Sequence, residues 1–148
     1  MKLLIIVLSY MADQNQENVK AINLHLVSDS SGDTVTAIAK AVIVQFEGIK
    51  LTEYKWPLIC SIPKVDDMLQ VIKNAPGPVI YTMVNGHIQD FFLKKCNELG
   101  LICVSPLDDI TNKIAKTIDL KPTRNTRGKY PNLDHNYFKK IEALNFAI

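Results

Sequence analysis

Glycine is scarce, with six in 148 residues, and the chain has no Gly-x-Gly-x-x-Gly, no Gly-x-x-x-x-Gly-Lys-Ser/Thr and no Gly-x-Ser-x-Gly. Such motifs bring backbone N–H groups against phosphates or set a nucleophile on a strained turn. Without them the chain carries no dinucleotide fingerprint, phosphate loop or hydrolase elbow of its own. Cysteine is scarce too: Cys60, Cys96 and Cys103 are odd in number and contain no Cys-x-x-Cys pair. That spacing supports neither a disulfide framework nor a structural zinc set, and it suits a reducing cytoplasm. His25, His87 and His135 are far apart and lack ligand spacing, so no metal is expected. The net charge of +2 is too small for a nucleic-acid binder or an anionic membrane surface. The longest apolar run near the start, Leu3 to Leu8, is far short of the roughly 20 residues that cross a bilayer.

What is present is a globular composition, 47% hydrophobic and 22% charged, in a length that fits one domain. The hydrophobic period alternates along the chain. Asn23 to Val27 reads as a strand, and Val35, Ile38, Ala39, Val42, Ile43 and Phe46 mark one face of a helix ended by Gly48. Leu51 to Leu58 is a second strand, followed by a helix with Val65, Met68, Leu69 and Ile72 inward. Val79 to Val84 has the apolar, β-rich character of a strand buried on both faces. A third helix carries Ile88, Phe91, Phe92, Cys96 and Leu99, with Gly100 as its C-cap. Leu101 to Val104 is a fourth strand, and Leu107, Ile110, Ile114 and Ile118 mark a fourth helix.

Four strand–helix units predict an α/β fold, a parallel sheet flanked by helices in a Rossmann-like arrangement. Residues 21–120 form this domain. Residues 121–148 are a basic loop and a last helix, from about Leu133, with Tyr137, Phe138, Ile141 and Leu144 on one side. Residues 1–20 are an N-terminal extension open to three readings: an extra edge strand, a weak signal peptide, or codons upstream of a true start at Met11. The third is the expectation, since nothing downstream looks secreted.

Ligands of open α/β sheets bind beyond the carboxyl ends of the strands, and three such ends are informative. Ser28, Asp29, Ser30 and Gly32 lie in the first βα turn, whose small residues could leave N–H groups to face an anion. An ordinary turn with a Ser or Asp N-cap fits the same residues, and a negative Asp29 opposes phosphate. Thr82, with Asn85 and His87, ends the third strand and could meet a polar ligand, or serve only locally. Arg124 and Arg127, with Lys121 and Lys129, suit phosphate recognition or a plain solvated loop. Asp66-Asp67 and Asp108-Asp109 are each expected to open a helix and serve its dipole. Cys96 and Cys103 are expected in the core. No nucleophile–base–orienter set is visible.

The segments in order resemble one family. His25-Leu26-Val27-Ser28-Asp29-Ser30-Ser31-Gly32-Asp33-Thr34 is similar to its opening motif, Val-Ser-Asp-Ser-Thr-Gly-Glu-Thr, with Ser31 for Thr and Asp33 for Glu. Gln45-Phe46, Trp56-Pro57 and Val79-Ile80-Tyr81-Thr82 sit where the family has similar residues. Residues 133–147 are closely similar to its Leu-Asp-x-x-Tyr-Phe-x-Arg-Ile-Glu-Ala-x-x-Phe-Ala signature. The family is that of the regulatory proteins of pyruvate, phosphate dikinase and of phosphoenolpyruvate synthetase.

The resemblance implies a bifunctional cytoplasmic regulator. Such a protein uses ADP to phosphorylate a threonine of the target enzyme, and removes that phosphate with inorganic phosphate, releasing pyrophosphate. It implies ADP and inorganic phosphate as substrates, none held tightly by this chain, and the dikinase or the synthetase as partner; a homodimer is left open. The family's nucleotide loop, Gly-x-Ser-Arg-x-x-Lys-Thr, would lie beyond Ile148. The expectation is therefore an N-terminal portion that is inactive alone, against two alternatives: a non-catalytic docking module or a decayed remnant. Ser28, Asp29, Ser30 and Gly32 are the positions carried over, as part of a phosphate or target cleft. Tyr137, Phe138, Ile141 and Glu142 match the last signature with the spacing of a packing face.

Overall fold

The computed structural model describes residues 1–16 and 19–124. Nine elements follow in chain order: α1 (Lys2–Gln16), β1 (Lys20–Ser28), α2 (Asp33–Ile43), β2 (Ile49–Trp56), α3 (Ile62–Asn74), β3 (Val79–Thr82), α4 (Gly86–Glu98), β4 (Cys103–Val104) and α5 (Pro106–Ile118). The four strands form one sheet in the order β2-β1-β3-β4, and each neighbouring pair is parallel. The α/β, Rossmann-like arrangement expected from the alternating periods is the one observed.

Side chains of β1 alternate between two cores. Leu24 and Leu26 pack with Val35 and Ala39 of α2, while Val27 packs with Val65, Met68, Leu69 and Ile72 of α3 and Phe92 of α4. So α2 covers one face and α3 with α4 the other, as right-handed crossovers on either side of β1 require. Burial on both faces is why β1 reads as an unbroken buried run from Leu24 to Ser28.

The polar exception in that run is His25, which is fully buried. Its Nε2 lies 2.7 Å from the Ala75 carbonyl oxygen, and its Nδ1 lies 3.1 Å from Trp56 Nε1. A carbonyl only accepts and an indole N–H only donates, so the proton sits on Nε2 and Nδ1 is the acceptor. The ring also stacks on Tyr54 at 4.7 Å. His25 is a satisfied core residue tying β1 to β2 and to the end of α3.

Several local expectations are corrected. Residues 2–16 are helical, which removes the edge-strand reading: an isolated strand would need a partner for its backbone, whereas a helix bonds within itself. The helix after β1 ends at Ile43 rather than at Gly48, and Phe46 is exposed. Asp66 and Asp67 lie beyond the first turn of α3, which starts at Ile62 with Pro63 and has no acid there. Asp108 and Asp109 do sit in the first turn of α5. Cys96 is buried, but Cys103 is only half-buried because β4 is the sheet edge. The apolar stripe of α5 is out in solvent: Ile110, Ile114 and Ile118 are 54–56% exposed. The helix expected from Leu133 lies outside the described residues.

Candidate functional site

The strand order reverses between β1 and β3. From β1 the chain moves outward to β2, then returns over β1 to β3 and continues to β4. Such a switch point opens a crevice between the two loops that leave the adjacent strands in opposite directions. Here those loops are 29–32 after β1 and 83–85 after β3.

Asp29 spans the crevice. Its Oδ2 accepts from Val84 N at 2.8 Å and Asn85 N at 3.3 Å, and its own N–H donates to the Thr82 carbonyl at 3.4 Å. Its carbonyl accepts from the Cys60 thiol, 3.4 Å away, in the loop after β2. One residue thus touches the loops of three strands. The carboxylate that opposed a phosphate reading is directed at two backbone donors, where charge-assisted bonds are strong.

Ser28 is buried and turns the chain at the end of β1: its Oγ accepts from Ser30 N at 3.1 Å and lies 3.3 Å from Ser30 Oγ. The carbonyls of Ser28 and Ser30 accept from Ile59 N and Leu58 N, each at 2.9 Å, fastening this turn to the next loop. Gly32 is the N-cap of α2 in the left-handed region, φ 84°, ψ 8°, with no side-chain cap bond. The Ser or Asp cap expected for this turn is therefore absent. Ser31 Oγ donates instead to Asp33 Oδ2 at 2.9 Å and accepts from Asp33 N at 3.4 Å, so the side-chain acceptor at the start of α2 comes from the residue before the N-cap.

Thr82 is buried and pairs in register with Ser28. Asn85 caps α4, its Oδ1 accepting from His87 N and Ile88 N at 3.1 and 3.3 Å. Arg124 comes back over the start of that helix: a Cβ on Gly86 would stand 3.6 Å from Arg124 Cδ and 3.7 Å from Nη1. The ion pairs among the described residues, Glu53–Lys55 and Lys95–Glu98, do not involve Arg124. Arg127 lies outside the described residues. The structure thus brings Ser28, Asp29, Ser30, Gly32, Thr82 and Arg124 to the carboxyl end of the two central strands.

Beside Arg124 is a cavity of about 270 Å³ bordered by Met83, Val84, Gln89, Asp108, Thr111 and Arg124 among others. Buried Gln89 donates to Asp108 Oδ2 at 2.8 Å, and Ser105 Oγ accepts from Asp108 N at 3.3 Å. Burial raises the Tyr81 hydroxyl above its ordinary pKa, opposed by the nearby polar side chains of Gln89 and Ser105. This Tyr81–Gln89–Asp108 group was not singled out in the sequence. Its one signal was an acid soon after the fourth strand, as Asp29 follows the first. Among the described residues no three His, Cys, Asp or Glu side chains converge as metal ligands.

The model of the kinase/pyrophosphorylase family matches residues 24–148. The chain belongs to this family. Curated relatives described as pyruvate, phosphate dikinase regulatory proteins agree. The one from Paramagnetospirillum magneticum is 33% identical over 130 residues, 88% of this chain and 42% of the relative. That from Sinorhizobium fredii is 36% identical over 135 residues, 91% of this chain and 48% of the relative. That from Acidiphilium cryptum is 36% identical over 129 residues, 87% of this chain and 44% of the relative. The chain therefore spans about half the length of the relatives it matches, consistent with their N-terminal half. The family match begins within β1, so α1 precedes it. No helix among the described residues is long and apolar enough to cross a membrane.

Proposed function

We propose that this chain supplies the acceptor-side wall of a phosphoryl-transfer cleft in a cytoplasmic regulator of pyruvate, phosphate dikinase or phosphoenolpyruvate synthetase. The observation that supports this reading is the crevice bridged by Asp29 at the switch point, where the family's opening motif and Arg124 share the carboxyl end of the sheet. In the forward reaction the target threonine oxygen attacks the β-phosphorus of ADP. The bond to the bridging oxygen breaks, AMP leaves and the hydroxyl proton is released. In the reverse direction inorganic phosphate attacks the phosphothreonine phosphorus, and pyrophosphate leaves as the threonine hydroxyl is restored.

Such transfers rest on positioned donors around the phosphates more than on covalent help from the protein. Arg124 and the glycine-capped first turn of α2 are suited to stabilise phosphate charge, while Asp29 holds the two walls in register. A Lys-bearing phosphate loop is absent from this sequence, so the chain alone lacks the donors that grip the nucleotide.

The first test is a phosphorylation assay of the 148-residue chain with ADP and a dikinase target. No transfer is expected, and turnover would sink the reading of an incomplete site. Stable target binding without transfer would instead favour a docking module. In a complete family protein carrying these residues, Asp29→Ala should cut transfer at least about tenfold, the cost of misplacing reacting groups. A wild-type rate would remove Asp29 from the site.

A further inference from the structure

Helix α5 is well formed and capped by Ser105, yet none of its residues is buried. Its isoleucines recur at 110, 114 and 118, a spacing that puts them on one face. All three are more than half exposed. A 13-residue helix is marginal without tertiary packing, and among the described residues nothing supplies the contact that would hold this face.

The strand that leads into α5 is in the same condition. β4 pairs with β3 through only two residues, closes the sheet on that side, and leaves Val104 51% exposed, with Ile102 before it 71% exposed. A parallel sheet normally has its faces covered and its hydrophobic edge paired or shielded. The opposite edge strand, β2, is different: half its residues are half-buried and it pairs along eight positions.

We infer that the β4 edge and the isoleucine face of α5 are the seat of the family's other half, the stretch of the relatives that this chain does not span. The argument for that occupant is length together with place. The relatives in which this domain occurs carry as much chain again, since it covers only 42–48% of them. The open apolar face belongs to the last strand–helix unit among the described residues, from which the chain runs on. By contrast α1, also apolar and exposed, precedes the family match, so the shared half has no reason to cover it. Seated there, the second half would stand next to the cavity at Asp108, Thr111 and Arg124, beside the switch-point crevice. The inference rests on family membership, not on the chemistry proposed for the cleft. A complex that forms without phosphoryl transfer would sink only the latter.

The test coexpresses this chain with the remaining half of the Sinorhizobium fredii relative, one of the two tagged. A one-to-one complex is expected, with amide exchange over residues 106–118 slowed at least tenfold relative to the chain alone. The double variant Ile110→Glu, Ile114→Glu should lose the complex and keep its melting temperature, because both side chains are exposed. Val44→Glu, at the exposed residue that follows α2, should retain it. Absence of a complex, or a complex indifferent to I110E/I114E, overturns the inference. Protection of α5 that instead grows with the concentration of this chain alone also overturns it, by assigning the face to a second copy.

Discussion

His25 shows how a polar residue comes to be fully buried in a central strand. Both ring nitrogens are bonded, to Trp56 Nε1 and the Ala75 carbonyl, and the ring is stacked on Tyr54. Replacing it with phenylalanine keeps the bulk but orphans an indole N–H and a carbonyl. Each unsatisfied group costs on the order of 1–3 kcal/mol, so His25→Phe should lower stability by about 2–4 kcal/mol. Urea unfolding followed by the fluorescence of Trp56, the single tryptophan, measures it. A change below about 0.5 kcal/mol would mean these bonds carry no net weight. The sequence placed His25 in the first strand, at the head of the family's opening segment, without showing what it bonds; its partners come from β2 and from the end of α3, 31 and 50 residues away. Asp29 has the same history. The motif that contains it was legible, whereas its bonds to Val84 and Asn85 join residues more than 50 apart.

At the level of elements, two glycines separate backbone conformation from space. Gly32 begins α2 at φ +84°, and nothing lies within 3.8 Å of a Cβ placed there. Gly32→Ala therefore carries only the left-handed strain, about 1–2 kcal/mol. Gly77, in the Pro-Gly-Pro turn before β3, has no positive φ, but its Cβ would stand 1.9 Å from the Asn23 carbonyl oxygen. Backbone must move to admit it, and Gly77→Ala should cost about 2–4 kcal/mol, the range of a clash in a packed site. Denaturation of the two variants side by side checks the order; a Gly32 variant less stable than the Gly77 variant would contradict it. Element type was readable because period and breakers agreed along residues 21–120. Element ends were not. The helix after β1 stops at Ile43 although its apolar spacing runs on to Phe46, since Val44 and Phe46 meet no partner.

For the whole molecule, the core lies between β1 and Cys96, in two clusters on either side of the sheet. Helix α1 belongs to neither, and its described side chains from Leu3 to Met11 are exposed. Removing residues 1–16 should leave a cooperative transition with a melting temperature within about 2–3 °C, as for changes that touch no packed group. A larger drop in calorimetry would show that α1 packs on the domain. The fold class, the two-sided burial of the sheet and the family motif were determined by the sequence itself, because each is written in local periodicity or in contiguous residues. Tertiary structure alone decided the strand order 2-1-3-4 and thus where the crevice opens. It also decided that Asp29 serves as a bridge and that α5 turns its isoleucines to solvent. Local patterning records which face of a helix is apolar; whether anything covers that face depends on chain distant in sequence.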